Sequence, residues 1–475
     1  MVRFFNRTHD LSILEDLYRA PSSSLVVLYG RRRVGKTELA KEFIKNKKSI
    51  YLFIETKPEK LLLKDLEASL EKIMDFRPRL DDWDDFFNII FKIKEKIIIV
   101  FDEFQNFRKI DPQFFSKFQK YWDEHHRESR HMFIVIGSYV GMIKRIFQGD
   151  KEPLFGRATL LYNLMPFGFS DSHTFLRGFY DLDTKEAMKF YFILGGVPKY
   201  LLLAGEFGTP DANKTFKKLF IDTRILMEEG MNILKLEFGT EHKSYFSILE
   251  AIASGKATPK DISDYTGIQA STVSKYLHEL LHDYEIVKKE EPVIQTKARS
   301  GRYFLNDNFF NFWFRFIYKN YGTFEIDPDM GVELVRKDSN TYFGTAFESV
   351  AKEFLIAINK KDGKDGKDGK DGKDGKGRED RKGGLPFRFL EIGRWWDKDV
   401  EIDLIGFNKT TREILFCEVK WKNLTKNEAE QIMRKLKKKA VKVKGKWIEH
   451  YCLIAKEIGQ KEELDFLAFD IADME

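Results

Sequence analysis

The sequence predicts an α/β protein built on a parallel sheet, with helical and mixed modules behind it. Three observations carry that prediction. An apolar run, Leu25 to Tyr29, leads into Gly30-Arg31-Arg32-Arg33-Val34-Gly35-Lys36-Thr37, which opens a helical stretch from Glu38 to Lys45. Lys96-Ile97-Ile98-Ile99-Val100-Phe101 is continuously apolar after its first residue, as a strand buried on both faces should be, and it ends in Asp102-Glu103. Phe133-Ile134-Val135-Ile136-Gly137-Ser138 repeats the pattern with a polar residue at its end. With a further strand-like run at 50–54, residues 1 to about 165 alternate strand and helix, the order of a P-loop α/β layer.

The loop carries the chemistry. A strand, then G-x-x-x-x-G-K-[ST], then a helix lets backbone N–H groups from Gly30 to Gly35 wrap a phosphate chain at a helix N-terminus. Lys36 would reach the β/γ-phosphates, and the Thr37 hydroxyl would sit on Mg²⁺. Asp102 would hold the Mg²⁺ shell and Glu103 would polarise the attacking water. Ser138 is placed for the γ-phosphate or that water. The second acid favours an additional-strand ATPase over a small GTPase. Asn359-Lys360-Lys361-Asp362 has the letters of a guanine-reading motif but borders a low-complexity run, so ATP is the expected nucleotide. Arg157, after Phe155-Gly156, is the candidate charge-stabilising arginine, reaching the γ-phosphate of its own chain or of a neighbour.

Residues 166–240 are helix-rich and read as a helical lid. Residues 244–306 have the rhythm of a winged helix: helices at Ser247–Ser254, from Thr258, and at Ala270–His282, then strands at Ile286–Lys289 and Arg302–Leu305. Ser271, Thr272, Ser274 and Lys275 open the third helix with small, polar or basic side chains suited to a nucleic-acid groove, although winged helices also dock proteins. Asn308–Asn320 is aromatic-dense and reads as an inter-domain packing helix. Residues 361–375 are five Lys-Asp-Gly triplets, which cannot build a core and predict a solvated, disordered insertion.

The C-terminal module, 307–475, alternates polar and apolar residues at Val400–Ile405 and Ile414–Lys420. Period two places Glu401 with Asp403, and Glu418 with Lys420, on common faces. Asp403 followed by Glu418-x-Lys420 resembles the PD-(D/E)XK nuclease superfamily. Asp403 and Glu418 would share Mg²⁺ and Lys420 would orient the attacking water. The resemblance implies Glu348, on a helix from Thr345 to Leu355, as a further metal ligand. A solvated face is the bland alternative. Against it, Lys420 to Lys446 holds eleven Lys or Arg and two Glu, a polyanion-binding footprint.

A chain of 475 residues with 43% hydrophobic residues has ample core for two to four domains. Cys417 and Cys452 fit neither a disulfide framework nor a metal-ligand spacing. Charges at Arg3, Arg7 and Asp10 leave no signal-peptide core, and no apolar run approaches a membrane span, so a cytoplasmic protein is expected.

Over nearly its whole length the chain resembles archaeal STAND-type P-loop ATPases. The matches include Phe5-Asn6-Arg7, the Gly30–Thr37 loop, Phe101-Asp102-Glu103-Phe104-Gln105, Gly137-Ser138, Pro153 to Arg157, and Gly195-Gly196-Val197-Pro198-Lys199-Tyr200-Leu201. Such proteins often end in a nuclease-like domain, matched here by Ile392-Gly393-Arg394-Trp395-Trp396 and Glu418-Val419-Lys420-Trp421. The resemblance implies that Pro198 belongs to a lid that senses nucleotide. The leading expectation is an ATP-hydrolysing switch that binds nucleic acid, DNA foremost, and cuts it; homo-oligomerisation is left open. The alternative is a regulatory or signalling DNA-binding ATPase whose nuclease-like domain is inactive, and a chaperone-like remodeller stands third.

Overall fold

The structure, a computed structural model, describes residues 4–74, 76–207, 211–294, 301–365 and 384–474. Five short apolar runs become strands β1 (Ser24–Tyr29), β2 (Ser49–Phe53), β3 (Ile98–Asp102), β4 (Met132–Gly137) and β5 (Leu160–Asn163). They form one all-parallel sheet in the order β2-β3-β4-β1-β5. Every residue of β1, β3 and β4 is buried, because helices cover both faces of a parallel sheet. One face packs on a Phe-rich layer including Phe87, Phe101, Phe114 and Phe118; the other packs on Leu14, Leu39 and Phe43. In-register parallel pairing brings all five C-terminal strand ends to one edge, and β4 lies between β1 and β3.

Between Phe167 and His282 the described residues are largely helical, and helix His242–Ala253 begins before the expected Ser247. Helix Pro259–Thr266 starts where Thr258 caps the Asp261 N–H and stops at Gly267 in left-handed backbone. Helix Ala270–His282 follows, then the antiparallel pair β6 (Val287–Glu290) and β7 (Arg302–Leu305). Asn308–Tyr318 is one helical stretch that widens into a π-turn from Trp313, burying Phe309, Phe310, Phe312, Trp313, Phe314 and Phe316.

Helix Pro328–Asp365 is far longer than the expected Thr345–Leu355 and runs into the Lys-Asp-Gly tract; the remainder of that tract, 366–375, lies outside the described residues. Strands β8 (Glu391–Asp397), β9 (Val400–Asn408), β10 (Glu413–Leu424), β11 (Ile448–Ile458) and β12 (Leu467–Phe469) form a second sheet in the order β12-β11-β10-β9-β8. β8, β9 and β10 are antiparallel neighbours, while β10, β11 and β12 run parallel. Helix Lys426–Ala440, closed by a Thr425/Glu428 capping box, crosses from β10 to β11. Alternate β10 residues serve two cores: Leu415, Cys417 and Val419 face the long helix, and Ile414 and Phe416 face the crossover helix. The first of these cores is continuous from Phe167 to Ile471, so the central helices and the C-terminal sheet share buried surface. Among the described residues, no helix is long and apolar enough to cross a membrane.

Candidate functional site

The loop after β1 has the backbone its glycines allow. Gly30 adopts φ +137°, and a Cβ there would meet the Leu164 carbonyl oxygen at 2.7 Å; Gly35 adopts φ +97°. The Lys36 ammonium turns back on the loop and donates to the carbonyls of Gly30 and Arg31 at 2.7 and 2.8 Å. Burial pulls its pKa down to about 8, against the raising charges of Glu103, Asp102 and Glu237.

Asp102, at the end of β3, accepts from the Thr37 hydroxyl at 2.7 Å and the Tyr51 phenol at 2.6 Å. Glu103 sits in left-handed backbone (φ 55°), uncommon for a residue with a side chain. There its carboxylate accepts from the Ser138 hydroxyl at 3.0 Å and from the Gln105 amide. Thr37 follows β1, Asp102 ends β3 with Glu103 next to it, and Ser138 follows β4; the parallel strand order β3-β4-β1 gathers them at one edge. Hard oxygens from Thr37 and Asp102, at hydrogen-bond distance, suit Mg²⁺ by donor chemistry. The N-terminal segment closes over the loop, with Arg7 donating to the Val34 and Met165 carbonyls at 3.0 and 2.9 Å.

The side chains of the three loop arginines turn away from the loop to distant partners. Arg31 is largely buried and pairs with Asp307, donates to the Tyr200 hydroxyl at 3.3 Å, and stacks 4.0 Å from the Phe310 ring centroid. Burial would lower its pKa, but Asp307 and Tyr200 outweigh that and raise it. Arg33 pairs with Glu229 at 2.9 Å, and Glu229 also accepts from Tyr200. Arg32 donates to the Tyr139 hydroxyl at 2.7 Å. These side chains tie the loop to helices more than a hundred residues away instead of lining it for phosphate. Pro198 begins helix Pro198–Glu206, and it is Tyr200 from that helix, not Pro198, that meets Arg31. Glu237, on helix Glu229–Phe238, accepts the Val140 N–H at 3.1 Å, and burial pushes its pKa up to about 7.

Arg157 is not brought to this site. Its guanidinium grips Asp123 through two bonds of 2.8 and 2.7 Å and donates to the Pro153 and Phe155 carbonyls. Two residues on, the Thr159 N–H donates to Leu25 at the start of β1. At ~3.3 Å per residue, β1 separates that edge from the loop by roughly 17 Å. Within its own chain Arg157 is a structural ion pair.

In the second sheet, Asp403 and Glu418 converge on Lys420, whose ammonium lies 3.2 and 2.9 Å from their carboxylates. The Val419 N–H also donates to Asp403 at 2.8 Å. Burial and the neighbouring Glu418 charge raise the Asp403 pKa. Lys439, from the basic crossover helix, bonds both Glu418 oxygens at 2.9 and 3.0 Å. Glu348 faces the patch but is ion-paired to Arg394 at 2.5 Å, and burial raises its pKa to about 8 against that partner. Among the described residues, no group of three or more His, Cys, Asp or Glu gathers as a metal cage, and the Glu348 carboxylate is held by Arg394. The oxygens of Asp403 and Glu418 still suit a hard divalent ion as a pair. The basic run gave a signal for Lys439, and Tyr200 and Arg394 lie in the resembling segments without a role attached; nothing local pointed to Tyr51, Glu229, Glu237 or Asp307.

Residues 4–204 match the ATPase domain found predominantly in Archaea, and residues 313–372 and 378–432 match a family of Archaea bacterial proteins of unknown function. An uncharacterised protein of Methanocaldococcus jannaschii is 33% identical over 473 residues, covering 99% of both chains. A second protein of that organism, an uncharacterised ATP-binding protein, is 50% identical over 48 residues, 10% of this chain and 81% of its own. Among solved structures, a Walker-type ATPase of Pyrococcus abyssi shares the fold with a TM-score of 0.54 at 20% identity, over 66% of this chain and 96% of that one. With the loop, the paired acids and the strand order in place, the chain belongs to the P-loop ATPases found predominantly in archaea, and it is an ATPase.

Proposed function

We propose that this ATPase is a nucleotide-operated switch of the STAND type that couples ATP hydrolysis to nucleic-acid binding and cleavage. The observation that carries the coupling is the Arg31–Asp307 ion pair, with Arg33–Glu229 beside it. Asp307 stands between β7 and the aromatic helix that leads to the C-terminal module, so a shift of the loop on binding phosphate is felt directly at that junction. In this reading Lys36 binds the phosphates, Thr37 and Asp102 hold Mg²⁺, and Glu103 with Ser138 orients the attacking water. Mg²⁺ supplies charge neutralisation on the phosphates when bound.

Residues 244–306 act as a winged helix, a reading supported by three helices followed by the β6–β7 pair. The order of helix, three antiparallel strands, crossover helix and parallel strand in the C-terminal module supports the nuclease-like reading. There, Asp403 and Glu418 would hold the divalent ion and Lys420 would hold the attacking water. Helix Lys426–Ala440 presents Arg434, Lys435, Lys437 and Lys438 to the phosphate backbone.

The test is a cleavage assay on single-stranded, duplex and branched substrates, with Mg²⁺ or Mn²⁺ and with or without ATP. Asp403→Ala should abolish cutting and leave binding nearly intact. Charge reversal at Arg434, Lys435, Lys437 and Lys438 should weaken binding across sequences and flatten its salt dependence. Binding without cutting under every condition would overturn the nuclease assignment. A specific feature favours that second reading, a regulatory DNA-binding ATPase with an inactive nuclease-like domain: Lys439 occupies both oxygens of Glu418, where the ion would sit.

A further inference from the structure

A cleft of about 380 Å³ lies between the central helices and the C-terminal sheet, lined by none of the residues assigned to the two sites above. Its walls carry Lys185, Lys189, Arg336 and Lys456, with Trp421 and Phe343 beside them, and no carboxylate among the described residues lines it. Lys185 and Lys189 lie one turn apart on helix Thr184–Leu194 and share a face. Arg336 and Phe343, seven residues apart, share a face of the long helix. Trp421 comes from β10 and Lys456 from the adjacent β11.

The aromatic wall is held in place. Trp421 makes edge-on contacts with Phe192, Phe343 and Phe347 at centroid distances of 5.2, 6.1 and 5.2 Å, and the Lys456 ammonium lies 5.6 Å from its ring. The cations are poorly compensated. Lys189 pairs with Glu186 and Arg336 with Glu333, but among the described residues neither Lys185 nor Lys456 has an ion-pair partner. Burial, then the charges of Lys185 and Lys189, holds the Lys456 pKa below the ordinary lysine value. A folded chain that gathers like charges around a half-buried indole is relieved by an anion with an aromatic part. The volume lies in the range of small-molecule clefts and is too small for a duplex.

We propose that this cleft binds a nucleoside phosphate, with its base against Trp421 and Phe343 and its phosphate among Lys185, Lys189 and Lys456. The same chemistry is offered by a free nucleotide and by the phosphorylated end of a single strand. The proposal stands apart from the nuclease reading, because it uses none of Asp403, Glu418 and Lys420.

The experiment is calorimetric titration of the full chain carrying Lys36→Ala, which silences the P-loop. The probes are the four common ribonucleoside 5′-monophosphates, 5′-phosphorylated pentathymidylate, and inorganic phosphate. One saturable site per chain is expected for a monophosphate or for the oligonucleotide. Lys185→Ala with Lys456→Ala should weaken it at least about tenfold. Trp421→Leu should also weaken it about tenfold, and Trp421→Phe should retain most of the affinity. Introduced into the wild-type P-loop background, the double lysine variant should keep the ATP turnover and Tm of the parent, which separates a lost site from a lost fold. Saturation by a monophosphate identifies the free nucleotide as ligand; saturation by the oligonucleotide alone identifies the strand end. Three results overturn the proposal: no saturable binding of either probe at millimolar concentration, inorganic phosphate binding as tightly as the monophosphates, or unchanged affinity in the double lysine variant.

Discussion

Replacing Asp307 with asparagine should strand a buried guanidinium. Arg31 and Asp307 side chains are each only 12% exposed, and no second carboxylate pairs with Arg31 among the described residues. The side-chain amide oxygen of the Asp307→Asn variant would keep the helix cap that Asp307 now provides to the Phe310 N–H, so the substitution isolates the charge. Breaking a buried pair from one side costs about 3–5 kcal/mol. The lower end applies, because the Phe310, Phe309 and Tyr200 rings still lie 4.0, 5.1 and 5.5 Å from the guanidinium carbon and keep part of its stabilisation. For a cooperative unit of roughly 200 residues, about 3 kcal/mol lowers Tm by about 6–12 °C. Differential scanning calorimetry without nucleotide measures that fall. Arg31→Met should restore much of the stability in the Asp307→Asn background, since no unpaired charge then remains buried. An Asp307→Asn protein that melts within about 2 °C of wild type, or strict additivity in the double variant, would refute the buried-pair reasoning.

Glu103→Gln should bind ATP as wild type does and turn it over about 10²–10⁴-fold more slowly, read by nucleotide binding alongside phosphate release; wild-type turnover would dismiss Glu103 as the water-orienting acid. Arg157→Ala should leave turnover unchanged and cost at most about 1 kcal/mol, because its ion pair with Asp123 lies at the far edge of the sheet. More than a tenfold loss of turnover would instead mean that a neighbouring copy supplies the arginine. Glu237 should make stability depend on pH. Its pKa is raised from 4.5 in the unfolded chain to about 7 in the fold, so the folded state holds more protons in between. Stability is therefore greatest below pH 4.5 from this group and is lost as pH rises towards 7. Glu237→Gln should flatten that slope in denaturant titrations between about pH 5 and 7; an unchanged slope would assign it to other groups.

The parallel layer was legible because its signals are local. A strand buried on both faces must be apolar throughout, and a loop that wraps phosphate must have glycine where φ is positive. Strands β1, β3 and β4 therefore fall within a residue or two of their apolar runs, and helix Ala270–His282 falls at its expected bounds. Period two likewise put Glu418 and Lys420 on one face, and antiparallel β9 supplies Asp403 to them. Less legible were β5, β8, β11 and β12. Their residues mix polar and apolar character at sheet edges or are long strands whose partners lie far away in the chain.

The amino-acid pattern by itself determined the nucleotide loop, the class of the sheet and the candidate acids, since backbone sterics and burial periodicity act over a few residues. Only the tertiary structure decided which partner each charged side chain takes. Arg31, Arg32 and Arg33 share a motif built for phosphate, yet packing brings Asp307, Tyr139 and Glu229 within their reach. Arg157 follows a motif at the right distance in sequence, but parallel pairing of β5 with β1 carries it to the opposite edge. Glu348 and Glu418 are acids of the expected type, and each is paired with a cation from a separate element, Arg394 and Lys439. A carboxylate or guanidinium taken out of water must be neutralised by whatever charge the fold places beside it, and that neighbour is set by chain segments tens to hundreds of residues away.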